Sequence, residues 1–291
     1  MLEYDSIAGL VRAAEEAGKP ISAVVLADQA EQTETPAAAL YEKMQASLHV
    51  MQEAVKAGAA EDLKSTSGLT GGDAYKMMLY APTGGLCGSF FAGALARALA
   101  VSEYNAAMGK IVASPTAGSC GILPGTILSL MEERRLPEQA GVMALFTAGA
   151  FGMVIAQKAS IAGAQGGCQA ECGSAAAMAA AALVEMAGGT PQMSAHACAI
   201  AIKNQLGLVC DPIAGLVEVP CIKRNAGGVA CAFTAAELAL AGVQSVIPVD
   251  EVIGAMREVG DAMPCTLKET AQGGLAATPT GIRLRKELFG A

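Results

Sequence analysis

The 291-residue sequence contains no tryptophan, and its five tyrosines and six phenylalanines bring aromatic residues to only 4%. A core built on large rings is therefore excluded, and so are the aromatic platforms on which proteins stack bases. Charged residues are scarce at 16%, and 19 basic against 27 acidic groups give a formal charge of −8 with no basic tract, a balance that argues against a nucleic-acid partner. Histidine occurs only at His49 and His196, and no two cysteines have the two-residue spacing of a zinc knuckle, which disfavours a structural zinc site. Strand-length Val/Ile/Thr runs are also missing, apart from short apolar pieces at 21–26 and 216–219, and no βαβ rhythm is present.

A secretory leader is not expected either. The chain opens Met1-Leu2-Glu3-Tyr4-Asp5-Ser6, acidic and helical in pattern, so a reducing, cytoplasmic compartment is expected in which thiols stay free or bind metal. The mean hydropathy of +0.43 raises the question of a membrane. The longest uncharged runs, 141–157 and 172–184, are rich in alanine and glycine and fall short of the roughly 20 strongly apolar residues of a span. They read as buried helices of a soluble protein.

Alanine is the commonest residue, and it is both the best helix former and small enough to let helix axes approach closely. The expected fold is all-α, a single compact bundle of alanine-rich helices with methionine as filler and functional loops at helix ends. Central helices are expected over 86–102, 121–133, 139–160, 171–187, 192–206 and 228–243. Residues 1–60 form a more polar amphipathic segment packed on the core or on a partner, with Thr33-Glu34-Thr35-Pro36 offering a threonine N-cap and a first-turn proline for a long helix. Residues 61–291 form the second unit, with no linker inside it.

The loops carry the chemistry. Lys64-Ser65-Thr66-Ser67-Gly68-Leu69-Thr70-Gly71-Gly72-Asp73, Ser114-Pro115-Thr116-Ala117-Gly118-Ser119 and the stretches around 168 and 210–225 mix glycines, which free backbone N–H groups, with hydroxyls that donate to an anion. Singly, each reads equally as helix capping; converging, they would form a site for a small carboxylate or phosphate. Of nine cysteines, Cys198 and Cys231 lie in alanine-rich runs and read as small core residues. Cys168, Cys210 and Cys221 lie in Gly- or Pro-containing breaks where helices would end. Three thiolates on loop ends are what a [4Fe–4S] cluster needs if one iron is to stay open, although spacing alone does not choose three cysteines from nine.

The segments 98–107 (Ala-Leu-Ala-Val-Ser-Glu-Tyr-Asn-Ala-Ala), 114–124, Gly167-Cys168-Gln169-Ala170-Glu171, Leu206-Gly207-Leu208-Val209-Cys210-Asp211-Pro212 and Val219-Pro220-Cys221-Ile222-Lys223-Arg224-Asn225 resemble the iron–sulfur L-serine dehydratases (L-serine ammonia-lyases). More narrowly, they resemble the separate alpha subunit of the two-chain form, over roughly residues 60–250. The resemblance implies an all-helical catalytic domain in which Cys168, Cys210 and Cys221, here 42 and 11 residues apart, hold a [4Fe–4S] cluster. It implies a Lewis-acidic iron that turns the serine hydroxyl into a leaving group, and an elimination yielding pyruvate and ammonia without pyridoxal phosphate. Such a step belongs to amino-acid degradation and feeds gluconeogenesis. On this reading Lys64, Ser65, Thr116 and Ser119 are the catalytic candidates. Ser67, Gly68, Thr70, Gly71, Asp73, Asn105, Pro115, Gly118 and Asn225 are the substrate-binding candidates, and Cys120 and Cys172 are pocket neighbours.

The sequence also departs from the family pattern. Single-chain relatives carry a Ser-Ser-Ser-His-Thr motif whose histidine is a candidate base, and no such motif occurs here. His196 reads as a helix residue with a structural hydrogen bond and His49 as packing, so the base is expected from a separate beta chain in a heterodimer or higher assembly. The C-terminal cysteine that caps the open iron in some relatives is missing from Leu288-Phe289-Gly290-Ala291, and a position often occupied by histidine is Asn204. The alternatives are a cluster enzyme on another small amino acid, such as an L-cysteine desulfidase or L-threonine dehydratase, and a non-catalytic module that needs Cys172 or Cys120 as a fourth ligand.

Overall fold

The computed structural model describes residues 2 and 4–290; Met1 and Glu3, in the acidic opening of the chain, and Ala291 lie outside the described residues. The helices are α1 (Ile7–Ala17), α2 (Ile21–Gln32), α3 (Ala37–Gly58), α4 (Asp73–Tyr80), α5 (Gly88–Ala106), α6 (Ile122–Glu133), α7 (Glu138–Lys158), the single turn α8 (Gly163–Gly166), α9 (Ser174–Met186), α10 (Pro191–Gln205), α11 (Cys221–Leu240), α12 (Val249–Ala262) and α13 (Pro279–Phe289). Helix accounts for 71% of the structure, and no strand occurs among the described residues beyond an isolated parallel bridge between Cys210 and Lys268. The all-α bundle expected from composition is the fold observed.

Its axis is α9. Residues 174–184, seven of them alanine, are all buried, and a helix without a polar face must have neighbours all round. Helices α6, α7, α10 and α11 supply them, α5 crosses α11, α6 and α3, and α12 lies on α10. Helices α1–α3 are laid on this core, with Ile7, Leu10, Val11, Leu48 and Met51 inside the main hydrophobic cluster. The few rings are used locally: Phe90 and Phe233 meet edge to face at 5.1 Å.

Helix α7 is 21 residues long and apolar enough to cross a membrane by length and composition, longer than the sequence run suggested. Of its apolar window, 67% is buried by the rest of the protein. Two boundaries also differ from the sequence reading. Helix α3 has Pro36 itself at the N-cap position, without a side-chain cap. The Thr35 hydroxyl, expected to cap it, instead donates to the Thr33 carbonyl at 3.1 Å, while the Thr33 hydroxyl bonds the Gln29 carbonyl at 2.7 Å and closes α2. Helix α11 begins at Cys221 rather than near 228, because Gly227-Gly228 is not a break. A Cβ at Gly228 would overlap the Ile122 side chain, so that glycine serves close packing of α11 on α6.

The same closeness governs the α3–α5 crossing, where a Cβ at Gly58 would overlap the Ala100 carbonyl; Gly149, inside α7, has nothing within 4 Å of its Cβ position. Gly58→Ala should therefore cost about 1–3 kcal/mol as α3 is pushed off α5. Gly149→Ala should be neutral or stabilising by up to about 1 kcal/mol through helix propensity. Denaturant unfolding of the two variants checks the contrast; equal effects would remove the backbone-contact explanation.

Candidate active site

The three thiols singled out in the sequence are buried and come from three separate segments. Cys168 follows Gly167, whose φ of +74° and proximity to the Leu208 carbonyl exclude a side chain, and it opens a π-helical turn, Gln169–Gly173, that leads into α9. Cys221 is the first residue of α11 after Pro220. Both therefore begin helices rather than end them. Cys210 lies in extended chain, its N–H donating to Leu267 O (2.8 Å) and its carbonyl accepting from Glu269 N (2.7 Å).

Two polar side chains stitch these segments together. Buried Gln169 donates Nε2–H to Met256 O and accepts Gly207 N–H at Oε1, both at 2.9 Å, while its own N–H bonds Leu208 O. Arg224, one turn after Cys221, donates to Val209 O (2.7 Å) and to Asp211 Oδ1 (2.8 Å), and Asp211 Oδ2 accepts Leu275 N–H (2.8 Å). Charge-assisted bonds of this kind fix geometry as well as energy. Arg224 thereby ties the α11 start to both sides of Cys210.

Burial pushes the Cys210 thiol well up and the Cys221 thiol up to about 12, and the negative charge of Cys168 acts in the same direction on both. Cys168 is held below its ordinary value by a hydrogen bond with Cys172, with Sγ–Sγ 3.4 Å, and by the Arg224 charge, against the opposing effect of burial. The three thiols thus lie within electrostatic reach of one another. Among the described residues no three His, Cys, Asp or Glu side chains converge as for a single metal ion. Three buried thiols carried by three segments, with the Glu171 carboxylate beside Cys210, are residue types that fit an iron–sulfur cluster. Cys172 lies against Cys168 and within electrostatic reach of Cys221. Cys120, read as a pocket neighbour, packs instead in a separate core cluster with Ala54 and Val101. Cys198 and Cys231 are core residues, and Cys87 and Cys265 are exposed.

The loop before α4 is organised around a carboxylate of the protein itself. Ser67 Oγ donates to Glu218 Oε1 (2.8 Å) and Thr70 Oγ1 to Glu218 Oε2 (2.6 Å), while Ser65 Oγ lies 3.3 Å from Ser67 Oγ and accepts Thr70 N–H at 3.2 Å. Gly71 has φ +136° with the Leu63 carbonyl beneath it, Gly68 is exposed at φ +75°, and Lys64 is exposed. Asp73 faces away from this group and bonds Lys76 (2.9 Å) and Lys223 (2.8 Å). Buried Glu103 accepts Asp73 N–H (3.0 Å) and Ala74 N–H (3.1 Å) at the start of α4.

In the second loop the Ser114–Pro115 peptide is cis, and Thr116 Oγ1 and Ser119 Oγ lie 3.3 Å apart. Thr116 also bonds Glu171, whose carboxyl burial pushes up. Gly118 leaves room for that carboxylate, which would stand 3.4 Å from a Cβ there, and a Cβ at Gly163 would lie close to both Glu171 and Cys210 Sγ. This loop therefore meets the thiol segments through Glu171. Asn105 Nδ2 donates to Ala117 O (3.3 Å). Asn225, fully buried, accepts Gly121 N–H (2.8 Å) and donates to Gly118 O (2.8 Å) and Cys221 O (2.9 Å), so it holds the loop to α11. A cavity of about 640 Å³ opens between Ser67, Asn105, Val217, Glu218 and the α13 end at Leu288 and Phe289.

The structure thus brings Ser65, Ser67 and Thr70 together on Glu218, and Thr116, Gly118 and Asn225 together beside Glu171 and Cys221, with Asn105 bonded to Ala117 O and lining the Glu218 cavity. It leaves Lys64 and Asp73 outside both groups. Glu171, Glu218 and Arg224 were not singled out in the sequence, although Glu171 and Arg224 lie inside the cysteine motifs and Glu218 directly precedes the Val219–Asn225 motif. Neither histidine joins the site: His49 is half exposed and pairs with Glu138 (3.1 Å), where packing was expected, and His196 accepts Ser245 N–H (3.3 Å), as a structural role predicts.

Asn225→Ala should cost about 2–4 kcal/mol in denaturant unfolding, because it strands buried Gly121 N–H and Gly118 O. Asn225→Asp, which keeps the acceptor but sets a carboxylate against two carbonyls, should do no better; a near-neutral alanine variant would refute this role. Asp73 is held below the ordinary carboxylate range by hydrogen bonds from Lys223 and Lys76. Its contribution to stability is present above that range and fades as pH falls through it toward the lowered value. Lys223→Ala should weaken that acid dependence by less than about 1 kcal/mol, the pair being partly exposed. Unfolding series at pH 3 to 6 check it. Glu103, raised by burial, acts in the opposite sense, and loss of the Lys223 charge raises it further, which weakens the acid dependence in the same direction.

The sequence matches a family profile described as serine dehydratase alpha chain over residues 16–276. It is 55% identical over 271 residues to a probable L-serine dehydratase alpha chain of Bacillus subtilis, covering 93% of this chain and 90% of that one. It is 46% identical over 275 residues to the L-serine dehydratase alpha chain of Peptoniphilus asaccharolyticus, covering 94% of each. An L-serine dehydratase of Streptomyces coelicolor is 46% identical over 181 residues, 62% of this chain but 40% of that longer protein. With a profile match across most of its length and two relatives aligned nearly end to end, the chain belongs to the serine dehydratase alpha chain family.

Proposed function

We propose that this chain is the alpha subunit of an L-serine dehydratase, a carbon–nitrogen lyase that converts L-serine to pyruvate and ammonia in the cytoplasm without pyridoxal phosphate. The observation that carries the reading is the set of three buried thiols, Cys168, Cys210 and Cys221, on segments stitched by Gln169 and Arg224. These residues would hold a [4Fe–4S] cluster. When bound, such a cluster with three protein ligands supplies a Lewis-acidic iron to the serine hydroxyl.

The chain's own residues bind and orient the substrate around that centre. Thr116 and Glu171 border it beside Cys210, and Asn225 fixes the 116–119 loop by holding Gly118 O and Gly121 N–H. The loop carrying Ser65, Ser67 and Thr70 faces the cavity that Asn105 and Glu218 also line. With both histidines bound elsewhere in the fold, the base that removes the Cα proton comes from a separate beta chain, in keeping with the alpha-chain names of the relatives. A threonine dehydratase or cysteine desulfidase would use the same frame, and the substrate test decides between them.

Anaerobic reconstitution with ferrous iron and sulfide, with and without the beta chain, should give a cluster absorbance, and pyruvate from L-serine only in the pair. Cys168→Ala should abolish both. Sulfide release from L-cysteine with no pyruvate from serine would overturn the substrate assignment. A full cluster in the Cys168→Ala protein would overturn the ligand assignment.

A further inference from the structure

We propose that Glu218 is a positioning residue that fastens the loop over residues 64–72 to the start of the Cys221 helix; its link to substrate binding rests on the serine dehydratase reading above. Glu218 is 5% exposed, and both of its oxygens are taken, Oε1 by Ser67 and Oε2 by Thr70. A hydroxyl has one proton to donate. Ser67 and Thr70 therefore have none left for a substrate carboxylate while Glu218 stays in place, although the sequence marks them as substrate donors. Ser65 completes the relay: with the Ser67 proton directed to Glu218, the 3.3 Å contact between the two hydroxyls leaves Ser65 as donor to Ser67. Every hydroxyl of the loop that is turned inward thus points toward one internal carboxylate.

The other end of Glu218 belongs to the thiol frame. Its carbonyl accepts Ile222 N–H at 3.0 Å, in the first turn of α11, and its N–H donates to Leu216 O at 2.7 Å. A single residue thus joins the loop to the backbone that sets Cys221. Thr66 anchors the loop's far side, with both N–H (3.0 Å) and hydroxyl (3.3 Å) donating to Ala106 O at the end of α5. What remains for a ligand in the cavity lined by Ser67, Asn105 and Glu218 is the shape of the loop rather than its hydroxyl protons, and Glu218 holds that shape.

The test uses the reconstituted alpha–beta enzyme and three variants: Glu218→Ala, Glu218→Gln and Ser67→Ala. In Glu218→Ala the serine KM should rise about tenfold or more, the size of one lost charge-assisted bond, with kcat within about threefold and the cluster absorbance unchanged. Amide hydrogen exchange over 64–72 should accelerate. Glu218→Gln, which keeps an acceptor of the same shape and lets one hydroxyl reverse, should recover most of both effects and guards against a misfolded alanine variant. Ser67→Ala should add less than twofold in the Glu218→Ala background, since the two residues act through one bond. Unchanged exchange over 64–72, loss of the cluster in Glu218→Gln, or a fall in kcat at constant KM would each overturn the proposal. If the wild-type pair makes no pyruvate, the substrate reading fails by itself, while exchange over 64–72 still decides whether Glu218 fastens the loop.

Discussion

Helix α9 has no polar face, and the surrounding helices take their positions from it. Because residues 174–184 are mostly alanine and wholly buried, its neighbours approach with almost no side-chain length between them. Close-packed interiors transmit displacement rather than absorb it. The π-helical turn that carries Cys168 runs directly into α9, while Cys221 opens α11, which packs along it. Two of the three thiol-bearing elements are therefore fixed by the close packing around α9. The third, around Cys210, has no helix to hold it and depends on hydrogen bonds from Gln169, Arg224 and the 267–269 segment.

That division explains where the buried polar groups are. A core of alanine and methionine offers few partners, so an ionised or amide side chain inside it must bring its own. Gln169, Asn225, Asp211, Glu103 and Glu218 are all buried, and all five make hydrogen bonds to backbone or to hydroxyls. They lie at the helix ends rather than in the middle of the bundle. Together they hold irregular chain in place where helical hydrogen bonding stops, which is the requirement for placing loop residues around a reaction centre.

The helices were legible in the sequence because alanine runs and apolar spacing are local signals. Their limits failed where tertiary contact overrode local chemistry: α11 begins at Cys221 rather than at 228, with Gly228 packed against Ile122, and Thr35, the expected cap of α3, turns its hydroxyl to the Thr33 carbonyl. Among the loops, glycines and hydroxyls pointed to the right segments but not to their partners. Glu218 lies some 150 residues from the hydroxyls it binds, and Glu171 meets Thr116 only through the fold. Long-range carboxylate–hydroxyl pairs leave no periodic trace, so they could not be read before the structure. Glu171 does lie inside the Gly167–Glu171 motif, and Glu218 directly precedes the Val219–Asn225 motif.

The distribution of titratable groups bears on why such a chain would work with a partner. Most buried acids in the site region are committed: Glu103 to the α4 N-terminus, Asp211 to Arg224 and Leu275 N–H, and Glu218 to the 64–72 loop. Glu171 is the exception in degree, bonded by Thr116 and raised by burial beside the thiol segments. Neither imidazole is near enough to these acids to form a relay with them, because His49 is bonded to α7 and His196 to the chain before α12. A frame in which nearly every buried polar atom has a fixed partner is rigid and selective, but it has little left with which to move a proton. Under the proposed reaction, binding and orientation therefore belong to this chain. The proton transfer would then fall to the separate beta chain of that proposal.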